Sequence, residues 1–223
     1  MEKLAGGFFF SLTLRGVRLY GQHYPEMRGM MERHVARHIS EAASLISKLT
    51  EVITEGIISA AEIISLALQR NNKILLFGNG GSAADAQHIA AEFVNRFSIE
   101  RPPLPAIALT TDTSIITSVS NDYSFSEVFA KQVKALGQKG DVAIAISTSG
   151  NSQNILKAAR AARKMGITTI GLTSVKGEKL IKIVNLPLAV PHESTPRIQE
   201  AHILIGHIIC DLTDTMLFKN FKR

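Results

Sequence analysis

Five brief apolar runs, separated by longer stretches of helical periodicity, constrain this chain more than any other feature. They are Lys73 to Phe77, Ala106 to Leu109, Val142 to Ile146, Thr168 to Leu172 and Leu186 to Val190. Runs this short, without polar alternation, suit strands buried on both faces, and the helical stretches between them are the crossovers that parallel strands need. The fold class read from this rhythm is α/β, a doubly wound parallel five-stranded sheet flanked by helices. Upstream, apolar residues recur at helical spacing from Met31 to Thr50 and from Glu55 to Arg70, so an N-terminal helical arm precedes the sheet.

The expected organisation is an N-terminal extension over 1–30, two helices over 31–70, and one α/β domain with a C-terminal helix over 71–223. Gly6 to Leu14 reads GGFFFSLTL, but only Lys3 precedes it and no small-residue cleavage site follows, so no secretory leader is expected. Met27, Met30 and Met31 stand just before the first patterned helix and leave open an upstream extension or a later start codon. The final segment, Pro196 to Phe218, is apolar around most of its circumference. A helix of that kind is buried on more than one side, which points to contact with another subunit.

Composition narrows the function classes. The chain has 223 residues, 45% of them hydrophobic, enough for one sizeable core. Charged or amide side chains interrupt every apolar run before the roughly 18 residues that a membrane span requires, so a transmembrane protein is excluded on this reading. Cys210 is the only cysteine. It permits no intrachain disulfide and no cysteine-based zinc finger, and a cytoplasmic, reducing setting is expected. The net charge of +6 is dispersed along the chain instead of forming a block, so no direct nucleic acid binding is expected.

Chemistry concentrates at two strand ends. After the first strand comes Gly78-Asn79-Gly80-Gly81-Ser82-Ala83 and then a helical pattern, a turn that lets backbone N–H groups approach an anion. The same spacing matches a dinucleotide fingerprint, but Asp112, near the end of the second strand, falls roughly ten residues too late for the usual ribose-binding acid. After the third strand comes Ser147-Thr148-Ser149-Gly150-Asn151-Ser152. A helix cap at Ser152 explains one of its four hydroxyls and leaves three. Two polar, glycine-containing strand ends in one parallel sheet point to a phosphorylated polyol at its carboxyl edge.

His88 and Glu92, four residues apart, project from one helix face, and Gln199 and His207 lie about 80° apart around the C-terminal helix. Two imidazoles, a carboxylate and an amide carbonyl are a possible zinc set, and the same carboxylate and imidazole can move protons. His192 is read as a loop residue, and Lys176-Gly177-Glu178-Lys179 as a solvated turn.

These motifs, with Ala106-Ile107-Ala108-Leu109, Asn121-Asp122, Gly140-Asp141 and Arg197-Ile198-Gln199-Glu200, resemble the sugar isomerase (SIS) domain of the phosphoheptose isomerase family. The resemblance runs from about Met31 to Phe218. It implies a cytoplasmic homotetrameric enzyme that binds zinc and interconverts sedoheptulose 7-phosphate and D-glycero-D-manno-heptose 7-phosphate, the entry to heptose synthesis for bacterial surface polysaccharide. It implies zinc at His88, Glu92, Gln199 and His207, and acid-base catalysis by Glu92 and His207. It also implies substrate contacts at Asn79, Gly80, Gly81, Ser82, Glu92, Asn121, Asp122, Ser147, Thr148, Ser149, Ser152 and Gln199. The alternative is a non-enzymatic relative with the same domain, the DnaA initiator-associating protein. That regulator lacks the acid at the position of Glu92 and the imidazole at that of His207, and this chain has both.

Overall fold

The computed structural model describes residues 25–218, and the readings made for 1–24 and 219–223 lie outside them. Two compact units divide between Ser40 and Glu41. The first comprises, among the described residues, the opening turns of helix α1 (Pro25–Val52). Its apolar side chains Met27, Met30, Met31, Val35 and Ile39 are exposed, and Arg28 pairs with Glu32 one turn on.

The second unit is the α/β body. It contains the rest of α1, α2 (Thr54–Gln69), β1 (Ile74–Gly78), α3 (Gly81–Val94), β2 (Ala106–Ala108) and α4 (Thr113–Asp122). Then follow α5 (Val128–Leu136), β3 (Val142–Ile146), α6 (Gln153–Lys164), β4 (Thr168–Ser174), the single-turn α7 (Glu178–Ile181), β5 (Leu186–Val190) and α8 (Thr195–Phe218). The five strands are all parallel, in the order β2-β1-β3-β4-β5. Strand period two sends Ile74 and Leu76 to one face and Leu75 and Phe77 to the other. The first face packs under α2, α3 and α8, and the second under α5 and α6, so each has its own core.

Several sequence-based expectations are refined. The helical pattern that follows the glycine loop continues in the sequence through Phe97, but the helix itself stops at Val94. Asp112 is the N-cap of α4, its carboxylate accepting from the Ile115 N–H at 2.8 Å. Lys176 to Lys179 is more than a solvated turn, because Gly177 is buried beneath Gly150 of the serine loop. Among the described residues, α8 is the one helix that by length and composition would qualify to cross a membrane, contrary to the reading that no segment approaches a span. Its apolarity has another use: Ile198, Ala201, Ile205 and Ile209 are buried in the core, and Cys210 lies with them at 1% exposure.

Candidate active site

Topology alone places a crevice. The chain runs from β1 outward to β2 in one direction and through β3, β4 and β5 in the other, so the loops leaving β1 and β3 diverge at their carboxyl ends. A cleft of about 300 Å³ opens there, lined by Asn79, Gly80, Gly81, Ser82, Ile146, Ser147, Thr148, Ser149, Ser152, Thr195 and Gln199. All are uncharged. What favours an anion is the pair of helix starts: neither Gly80 at the head of α3 nor Ser152 at the head of α6 makes a side-chain cap. The positive end of each helix dipole is left for a ligand, although the N–H groups of Ser82, Ala83 and Ile155 already bond within the turns, to the Asn79 and Gly80 carbonyls and to the Asn154 side chain. Ser152 therefore stands in the capping position without capping.

The cradle is braced from behind. The side-chain amides of Asn79 and Asn154 bond reciprocally, at 3.0 and 2.8 Å, tying the glycine loop to α6. Ser147 is buried and its hydroxyl accepts from the Gly150 N–H, while the Ser149 hydroxyl accepts from the Asn151 N–H. Gly150 has φ of 60° and packs on Gly177, so both the conformation and the space exclude a side chain. At Gly81 the reason is contact alone: a Cβ there would collide with the Gln199 amide.

Further along the same two helices lies a second group. His88 Nε2 is 3.1 Å from Glu92 Oε1 and 3.2 Å from His207 Nε2, and the three ligand atoms lie within 4.8 Å of one another. The Phe97 ring packs 5.4 Å from that of His207. Contacts of Gly81 with Gln199 and of His88 with His207 show that α3 and α8 run side by side in one direction. The cluster is thus about two turns, or some 11 Å, beyond the cleft.

Hydrogen bonding alone serves this group poorly. One nitrogen, His88 Nε2, faces both a carboxylate and a second imidazole nitrogen, and a single proton cannot satisfy all three. A cation accepting one lone pair from each can. Neighbouring donor atoms about 3.3 Å apart are what a tetrahedral ion with bonds near 2.0–2.1 Å requires. His88, Glu92 and His207 therefore fit a metal ion.

Asp85, one turn before His88, has a half-buried carboxyl whose pKa burial raises against the pull of His88. Asn121 and Asp122 bond to each other, exposed at the end of α4 and outside the cleft lining. The His192 ring accepts from the Ser194 N–H and also lies outside that lining. Thr195 and Asn154 were not singled out from sequence. Thr195 heads α8, one residue before the Pro196 at which the sequence pattern of that helix begins, and Asn154 shows its role only through a partner 75 positions away.

The SIS domain family matches residues 37–174. The phosphoheptose isomerase of Thermodesulfovibrio yellowstonii is 61% identical over 159 residues, 71% of this chain and 79% of that protein. That of Aquifex aeolicus is 50% identical over 188 residues, 84% of this chain and 98% of its own length. The chain belongs to the phosphoheptose isomerase family. It is an enzyme of the sugar-phosphate isomerase class, and the SIS fold expected from sequence is the fold observed. Among solved structures, the phosphoheptose isomerase of Neisseria gonorrhoeae superposes with a TM-score of 0.79 at 44% identity, covering 83% of this chain and 99% of that one. That of Francisella tularensis gives 0.80 at 38% identity, covering 83% and 98%.

Proposed function

We propose that this enzyme interconverts sedoheptulose 7-phosphate and D-glycero-D-manno-heptose 7-phosphate through an enediol. The observation that carries the reading is the meeting of Glu92 and His207, 115 positions apart in sequence, within 4.8 Å beside His88. In the cleft, the starts of α3 and α6 with Ser82, Ser147, Thr148, Ser149 and Ser152 receive the phosphate, and Gln199 and the Asn79–Gly81 turn orient the sugar. Asn121 and Asp122 are carried as substrate contacts by the family resemblance. Between them, Glu92 and His207 take the proton from one of carbons 1 and 2, deliver it to the other, and exchange protons with the two oxygens.

Zinc is the ion proposed for His88, Glu92 and His207, with Gln199 as a fourth ligand, and when bound it supplies Lewis-acid polarisation of the sugar oxygens. Gln199 reaches that role only by turning from Gly81 along α8 toward His207. We place the enzyme in the cytoplasm, at the first step of heptose synthesis for surface polysaccharide, and as a homotetramer. The tetramer is supported by an apolar groove of about 480 Å³ whose walls include Ile46, Leu49, Ile57, Leu204, Ile208 and Leu212.

The test is direct. Purified protein is incubated with sedoheptulose 7-phosphate and the aldose is measured with and without a chelator. Conversion that the chelator suppresses is expected. Glu92→Gln and His207→Asn should each lower kcat by about 10² to 10⁴ with the oligomer intact. Full turnover in both variants refutes the assignment.

A further inference from the structure

Arg101 lies in the segment joining α3 to β2, and its side chain is as enclosed as that of Asp214 on α8, each with 1% exposed. Its guanidinium spans two helices. Nε donates to Asp214 Oδ1 at 2.8 Å, Nη2 to the Glu92 carbonyl at 2.8 Å and Nη1 to the Phe93 carbonyl at 2.7 Å. Those carbonyls belong to the last turn of α3, which has no basic residue of its own to offset the negative end of its dipole. The same segment carries Phe97, packed on the His207 ring, and Ser98, whose hydroxyl donates to Asp211 on α8.

We propose that Arg101 and Asp214 are positioning residues: their ion pair fixes the approach of α3 to α8 and so the spacing of His88, Glu92 and His207. The proposal rests on the reading of those three side chains given above. Cohesion alone does not explain the pair. Two charges withdrawn from water hold helices together no better than apolar side chains of equal volume, and Asp214 Oδ2 is buried with no partner. What the guanidinium adds is direction, because its planar fan meets a backbone carbonyl of Glu92 itself and a carboxylate two turns beyond His207.

The experiment uses the full-length protein with Arg101→Lys, Asp214→Asn and the double variant Arg101→Met/Asp214→Leu. Thermal unfolding, affinity for cobalt(II) read from its visible absorption, and kcat and KM are measured on each. The double variant removes both buried charges together but also the donors to the Glu92 and Phe93 carbonyls, so it is expected to remain folded with a modestly lowered unfolding temperature. It should nevertheless bind cobalt(II) about 10- to 100-fold more weakly, with a changed spectrum, and lose kcat by a similar factor while KM stays within about threefold. A folded variant with parental cobalt affinity, spectrum and kcat overturns the proposal. Should Arg101→Lys fail to fold, Asp214→Asn and the double variant decide. Persistent turnover in Glu92→Gln would instead defeat the acid-base reading, and the cobalt titration still tests the placement of the three side chains.

Discussion

His202 shows what a single side chain contributes to this fold. Its ring is fully buried on α8, with Nε2 3.2 Å from the Thr173 carbonyl at the end of β4 and Nδ1 without a partner. Burial pushes its pKa down to about 4, although the Thr173 bond favours the charged form. Between about pH 6.5 and 4 the unfolded chain therefore binds a proton that the folded chain refuses, and stability falls as pH drops through that window. The expected loss is roughly 3 kcal/mol, complete near pH 4. Urea midpoints at pH 7, 5.5 and 4.5 for the parent and for His202→Gln check it, the variant losing less across the range. Asp141 acts lower on the scale. Burial opposes its ionisation, but the Lys73 ammonium and the N–H groups of Lys73 and Gln138 outweigh burial and hold its pKa below the ordinary value. Its contribution is present above the usual carboxylate range and disappears as pH falls below about 4.

Among elements, the strands were the most legible. β3 ends where its apolar run ends, because two-sided burial leaves no polar residue within it, and the edge strand β5 also spans its run although Pro187 is exposed. Spacing of four placed His88 and Glu92 on one face of α3, and the continuous pattern of α8 carried His207. Arg101 and Asn154 were illegible for one reason: each looks like an ordinary surface residue until folding brings a partner from 113 or 75 positions away. The pairing of α3 with α8 also sets a local prediction. Gly81 is the place where α3 begins and Gln199 crosses it, so Gly81→Ala should push Gln199 out of the cleft. An increase of at least about tenfold in KM, with near-parental unfolding, is the expected outcome of steady-state kinetics, since the lost interaction is in binding and the N-terminal turn tolerates Ala.

At the level of the whole molecule, one sheet separates two apolar cores and leaves its carboxyl edge to the ligand. Strand order fixes where the crevice opens, and order is written in pairings that a one-dimensional pattern does not contain. The helix-rich core holds the lone thiol. Cys210 sits among the residues that bind α8 to the sheet, and burial drives its pKa upward, away from the reactive thiolate. A chemical clock is thereby built into the protein. An alkylating reagent should leave the native thiol untouched and capture it only when α8 peels away, so the labelling rate measures how often that happens. Saturating substrate should slow the clock, because the helix that shields the sulfur also supplies Thr195 and Gln199 to the cleft.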